Sequence, residues 1–104
     1  ALTSSSNEVD WDAKAAANAY YLTTEATTFQ DPTNAVEGAI ISVEIAQGAT
    51  AYTVSWDTGT NGYEFADSTA PTMTATANKT DIYTFRYNGS HWQEIGRVQN
   101  LAQT

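Results

Sequence analysis

No stretch of this chain keeps the three-to-four spacing of apolar residues that a packed helix requires. What recurs instead is the two-residue alternation of a strand, in short runs cut by turn residues. Ile41, Val43 and Ile45 point one way while Ser42, Glu44 and Ala46 point the other. Residues 13–19 are the one helix-permitting stretch, a run of alanines around Lys14 and Asn18. They carry no apolar stripe and pass directly into Tyr20-Tyr21-Leu22-Thr23, so they read as the lead into a strand with at most one helical turn. Threonine and alanine each occur 17 times, Lys and Arg together only 4 times, and aromatics make up 12%. That balance favours strands over helices.

The remaining strands are read from alternation and punctuation. Gln30-Asp31-Pro32-Thr33-Asn34 is turn chemistry. Gln47-Gly48-Ala49-Thr50 turns the chain after the central strand, and Tyr52, Val54 and Trp56 alternate beyond it, which predicts a hairpin. The loop Asp57-Thr58-Gly59-Thr60-Asn61-Gly62 leads to a short strand at 63–65, and Pro71 opens a threonine-alternating segment at 72–76. A last hairpin runs over 81–87, turns through Asn88-Gly89-Ser90-His91 and returns over 92–98. The expectation is an all-β fold, an antiparallel β-sandwich or jelly-roll of about seven to eight short strands. Residues 1–8 read as a flexible or docked N-terminal arm and 9–104 as a single β-sandwich domain.

Length and charge narrow the functions. A chain of 104 residues makes one core, with a folded surface of about 5,700 Å² and about 65% of the extended surface buried. Without cysteine there is no disulfide framework, thiolate metal site or thiol nucleophile. Twelve acidic and four basic residues give a net charge of -8. Lys14, Lys79, Arg86 and Arg97 are scattered, which speaks against nucleic acid and anionic membranes as partners. No apolar run has transmembrane length, and the polar opening does not read as a signal peptide.

Several constellations carry possible chemistry. Asp57-Thr58-Gly59 is the triplet with which retroviral-type aspartic proteases build a two-carboxylate dyad at a dimer axis, and Ile95-Gly96-Arg97 matches a second phrase of that family. The triplet lies mid-chain, Trp56 and Thr60 flank it where aliphatic and alanine residues belong, and no glycine-rich flap follows; a hairpin loop accounts for it better. The same loop matches a calcium loop at its first, fifth and sixth positions but has Gly59 third and Ser68 twelfth, which removes two ligands. Glu8, Asp10 and Asp12 alternate onto one face, as a solvated negative stripe or a weak cation site. His91 reads as an exposed turn residue without a nucleophile beside it. No catalytic, cofactor-binding or metal-ligating residue is assigned, and no cofactor is expected. Asn78-Lys79-Thr80 and Asn88-Gly89-Ser90 are glycosylation sequons that matter only in a secreted eukaryotic protein.

Aromatic residues carry two further readings. Trp56, in line with Val54, belongs to the core, whereas Trp11 and Trp92 are candidates for a glycan-stacking surface or an interface. In the last hairpin Tyr83, Phe85 and Tyr87 share one face, yet Ile82 lies on the other, and Trp92 and Ile95 also divide between faces. Apolar groups on both sides of an end hairpin predict that one side meets another subunit. The candidate interface is Trp11, Tyr83, Phe85, Tyr87, Trp92 and Ile95.

An ordered set of phrases spans nearly the whole chain. They are Leu2-Thr3-Ser4, Val9-Asp10-Trp11-Asp12, Tyr20-Tyr21-Leu22-Thr23, Pro32-Thr33-Asn34 with Gly38, and Ala46-Gln47-Gly48-Ala49-Thr50. Thr69-Ala70-Pro71-Thr72-Met73-Thr74, Asp81-Ile82-Tyr83-Thr84-Phe85 and Tyr87-Asn88-Gly89-Ser90-His91-Trp92 follow. In this order they resemble the small β-domains of tailed-bacteriophage virion proteins, found in tail-fibre tips and among capsid decoration proteins. The chain departs from that pattern before Ala70, where it has Tyr63-Glu64-Phe65-Ala66-Asp67 and family members often have a tryptophan or lysine with proline and glycine. The resemblance implies a non-enzymatic virion component, commonly a homotrimer. With no heptads, collagen triplets or slender repeat to make a shaft, the expected role is a decoration protein on the capsid surface, partnered by the major capsid protein or another virion protein. The alternative is a tail-appendage tip that binds a host glycan.

Overall fold

The alternating run at 40–46 becomes the spine of the molecule, because both of its edges find partners and one of its faces is covered. In the computed structural model, which describes residues 1–103, nine strands form: β1 (Ser4–Ser5), β2 (Glu8–Val9), β3 (Asn18–Leu22), β4 (Thr27–Phe29), β5 (Ile40–Ala46), β6 (Val54–Trp56), β7 (Tyr63–Glu64), β8 (Lys79–Tyr87) and β9 (Trp92–Ala102). A short 3-10 turn, Ala66–Ser68, follows β7. The protein is therefore all-β. The strands make two sheets, ordered β1-β2-β4-β6 and β3-β5-β8-β9-β7.

Pairing is mixed, and not antiparallel throughout as expected. β2 with β4, β4 with β6, β3 with β5 and β7 with β9 all run parallel. From β2 to β7 each successive strand lies in the sheet opposite to the one before it. A chain that crosses the core between strands re-enters each sheet in the same direction, and parallel neighbours follow. The hairpin expected between 41–46 and 52–56 does not form for this reason: β5 and β6 belong to different sheets. Residues 72–76 form no strand. The antiparallel elements are β1 with β2, β5 with β8 and the terminal hairpin of β8 and β9, whose turn is the predicted 88–91. Residues before Val9 are paired, through β1, β2 and a bridge from Leu2 to Tyr21.

The core lies between the sheets. β5 gives Ile41, Val43 and Ile45, and Tyr21, Tyr83, Phe85 and Trp92 join from the same sheet; Val9, Phe29, Val54 and Trp56 face them from the other. Trp56 stands at the centre, with ring centroids 5.0 Å from Phe29, 4.8 Å from Tyr63, 5.2 Å from Tyr83 and 5.3 Å from Phe85. Tilted and edge-on contacts of this kind add to simple burial. The accessible surface is 5587 Å², close to the area of about 5,700 Å² that scaling gives for a closed monomer.

Two buried polar side chains hold segments that carry no strand pairing. Gln47 is 2% exposed. Its Oε1 accepts from Thr23 Oγ1 (2.6 Å) and the Tyr52 N–H (3.0 Å), and its Nε2 donates to the carbonyls of Tyr52 (2.8 Å) and Thr74 (3.0 Å). The amide thus pairs with both backbone groups of Tyr52, as a neighbouring strand would. Asp81 is equally buried. It accepts from the N–H groups of Thr74 (2.9 Å) and Asn100 (2.8 Å) and from the Tyr83 hydroxyl (2.8 Å). Burial acts to raise its pKa, but these donations outweigh it and hold the carboxyl below its ordinary value of 3.8.

Candidate functional site

Four of the six candidate interface residues are inside the molecule. Trp11, Tyr83, Phe85 and Trp92 are fully covered by the chain's own core and offer no surface to a partner. Trp11 is drawn in by stacking edge-on against Phe29, and its indole N–H donates to the Ala16 carbonyl (2.7 Å). Trp92 opens β9 between β7 and β8 and packs on Tyr87, centroid to centroid 4.9 Å. With Trp56 buried as expected, no tryptophan is left as a glycan-stacking platform. Tyr87 is half-buried, and Ile95 alone of the six is exposed, at 54%.

The hairpin does have a second apolar face, opposite to the aromatic one. Cross-strand register places Tyr20, Glu44, Ile82 and Val98 in one row on the outer side of the five-stranded sheet. Leu22, Ala46, Thr80 and Leu101 form the row beside it. Ile40 is 57% and Val98 52% exposed, and Tyr20, Leu22 and Leu101 are exposed as well. Gly96, opposite Thr84, leaves a bare patch among them, where an added Cβ would meet nothing within 4 Å.

The acidic motifs resolve into loop chemistry. Asp57 Oδ1 accepts from the Gly59 N–H (2.9 Å), and its carbonyl accepts from the Tyr63 N–H (2.9 Å). The loop closes so tightly that a Cβ on Gly62 would overlap the Asp57 carbonyl. The Asp-Thr-Gly triplet is thus engaged in shaping its own turn. Asp12 Oδ1 accepts from Asn34 Nδ2 (2.8 Å) and from the N–H groups of Lys14 and Ala15, and the Asn34 amide in particular holds its carboxyl below the usual range. Glu8 and Asp10 are exposed, and Asp12 is turned to these donors. Among the described residues no group of three or more His, Cys, Asp or Glu is arranged to hold a metal ion. Among the same residues no helix is long and apolar enough to cross a membrane.

A concavity of about 520 Å³ lies where β7 ends. β7 pairs with β9 only at Trp92 and Gln93 before the chain leaves into the 3-10 turn, so β9 is uncovered from Glu94 onward on that side. The lining of the concavity includes Glu64, Phe65, Ala66, His91, Gln93 and Glu94. His91 Nδ1 stands 3.7 Å from Glu64 Oε2, a neighbour that sequence reasoning did not supply. Glu94 is in phase with the buried Trp92 and opposite Phe85, so alternation alone turns it inward. Its Oε1 accepts from Arg97 Nη2 at 2.7 Å, whereas its Oε2 is buried without a hydrogen-bond partner among the described residues. An inward charge in an alternating strand was the signal available in the sequence. Neither family models, curated proteins nor solved structures give a match to this chain.

Proposed function

We propose that this chain is a structural subunit of a phage virion, a capsid decoration protein that associates as a homotrimer and binds the assembled shell. The observation that carries the reading is the exposure of Tyr20, Leu22, Ile40, Ile95, Val98 and Leu101 on the five-stranded sheet, together with the bare Gly96 on β9. Exposed apolar side chains spread over one sheet face, here interspersed with Glu44, Ser42 and Thr84, are a recognised feature of subunit contacts. The ordered phrases of the sequence support the virion class. The two facing sheets are read as a sandwich variant in which the strands that switch sheets run parallel.

On this reading the mechanism is mechanical. The trimer binds the assembled shell and not its free subunits, and so stabilises the shell by mass action. The charge of -8 keeps the outward surface soluble and mutually repulsive. The isolated protein is expected to scatter light as a trimer and to raise the melting temperature of expanded capsids when added to them. A monomer that leaves capsid stability unchanged would overturn the reading.

A further inference from the structure

The turn between β8 and β9 holds a reactive pair of residues in a particular setting. Asn88 Oδ1, the side-chain carbonyl oxygen, accepts from the backbone N–H groups of Ser90 (2.9 Å) and His91 (2.8 Å). Two donors converging on one carbonyl oxygen stabilise negative charge that develops there. The next residue, Gly89, is exposed like Asn88, and its own N–H has no hydrogen-bond partner among the described residues. Because glycine has no Cβ, its amide nitrogen is open to the neighbouring side chain.

A second Asn-Gly pair, Asn61-Gly62, is built differently. The Gly62 N–H donates to the Gly59 carbonyl (3.0 Å), and the Asp57 carbonyl closes over Gly62 so tightly that no Cβ would fit. That nitrogen is tied down where the Gly89 nitrogen is free.

We propose that Asn88 is a self-modification site, at which its carboxamide becomes a carboxylate with the Ser90 and His91 N–H groups acting as the oxyanion hole. Solvent base takes the Gly89 amide proton, and the nitrogen attacks Asn88 Cγ, which closes a ring and places negative charge on Oδ1. The Cγ–Nδ2 bond then breaks as the carbonyl re-forms, and the nitrogen leaves as ammonia with a proton from solvent. Water adds to either carbonyl of the cyclic imide and opens it to aspartate or isoaspartate. One water is consumed, one ammonia is released, and nothing is oxidised or reduced. The hairpin tip gains a negative charge, and in the isoaspartyl product the backbone gains a carbon.

The test is incubation of the folded protein at mildly alkaline pH beside the same chain unfolded in guanidinium chloride. Both asparagines are followed by peptide mass spectrometry, with isoaspartate separated by chromatography. Asn88 is expected to react at least as fast in the folded protein as in the unfolded chain. Asn61 is expected to be slowed by folding about tenfold or more. Ser90→Pro, which deletes one of the two donors, is expected to slow Asn88 about tenfold or more. If that variant loses the hairpin, the comparison of folded and unfolded wild type decides alone. Slower reaction of Asn88 in the folded protein than in the unfolded chain, no slowing of Asn61, or an unchanged Asn88 rate in folded Ser90→Pro would overturn the proposal.

Discussion

Asp81 is the residue on which the end of the molecule turns. It is buried, accepts three hydrogen bonds from three separate segments, and has its pKa lowered by them against the opposing effect of burial. A carboxyl whose folded pKa lies below its unfolded value adds stability that is complete above the unfolded value. That stability is lost as pH falls through the folded one. Wild-type stability should therefore decline as pH drops below the ordinary 3.8. Asp81→Asn should flatten that decline, because the titrating group is gone. At neutral pH the same variant turns an amide NH₂ toward the Thr74 or Asn100 N–H and should cost about 2 kcal/mol. Urea melts of both proteins across the acid range measure the two effects. A parallel pH dependence in wild type and variant would refute the assignment. Other single residues were less legible. Trp11 and Trp92 carry the same side chain as Trp56, and nothing local distinguishes a ring that the core will cover from one left outside.

At the scale of elements, legibility follows how local the cause is. The β8–β9 hairpin was readable because Asn88 and Gly89 determine it on the spot. Asn88 Oδ1 accepts from the N–H groups of Ser90 and His91, and Gly89 takes a φ of +99°. The central strand was readable from its alternation. The hairpin expected between 41–46 and 52–56 had similar local credentials and failed, since Gln47 takes the place of a partner strand for Tyr52 while β6 crosses to β4. A lone glutamine before a glycine gives no hint of that role. Gln47→Ala would leave both backbone groups of Tyr52, the Thr23 hydroxyl and the Thr74 carbonyl without their partner. The expected loss is about 3 kcal/mol by chemical denaturation with the slope unchanged. A loss under about 1 kcal/mol would mean that the 48–53 segment is held by other means. The concavity at the end of β7 was hidden for a similar reason: it exists because β7 stops after two residues, and strand ends are poorly marked in sequence.

For the whole molecule, the two-faced character of the last hairpin was legible, but its faces were assigned the wrong way round. The aromatic side, Tyr83 and Phe85, closes the core, and the aliphatic side, with Ile82, Ile95 and Val98, looks outward. Larger rings fill the space between two sheets, so the heavier face went inside. Gly96 offers a clean test of the outward face, because a side chain there meets nothing within 4 Å in the isolated subunit. If the proposed trimer forms through this face, Gly96→Arg should leave the melting temperature within a few degrees and give a monomer in light scattering. A trimer that persists in this variant places the contact elsewhere. The zigzag of the chain between sheets has a consequence of another kind, in time. The parallel pairs β2 with β4, β3 with β5 and β4 with β6 each wait for a strand of the opposite sheet to be laid down between, and the large sheet lacks its longest member until residues 92–102 arrive. Little can be gained from early local contacts, so refolding should run on the order of milliseconds to seconds. A chain still being synthesised would hold its aromatic core open until β9 is out of the ribosome, and would acquire its structure all at once.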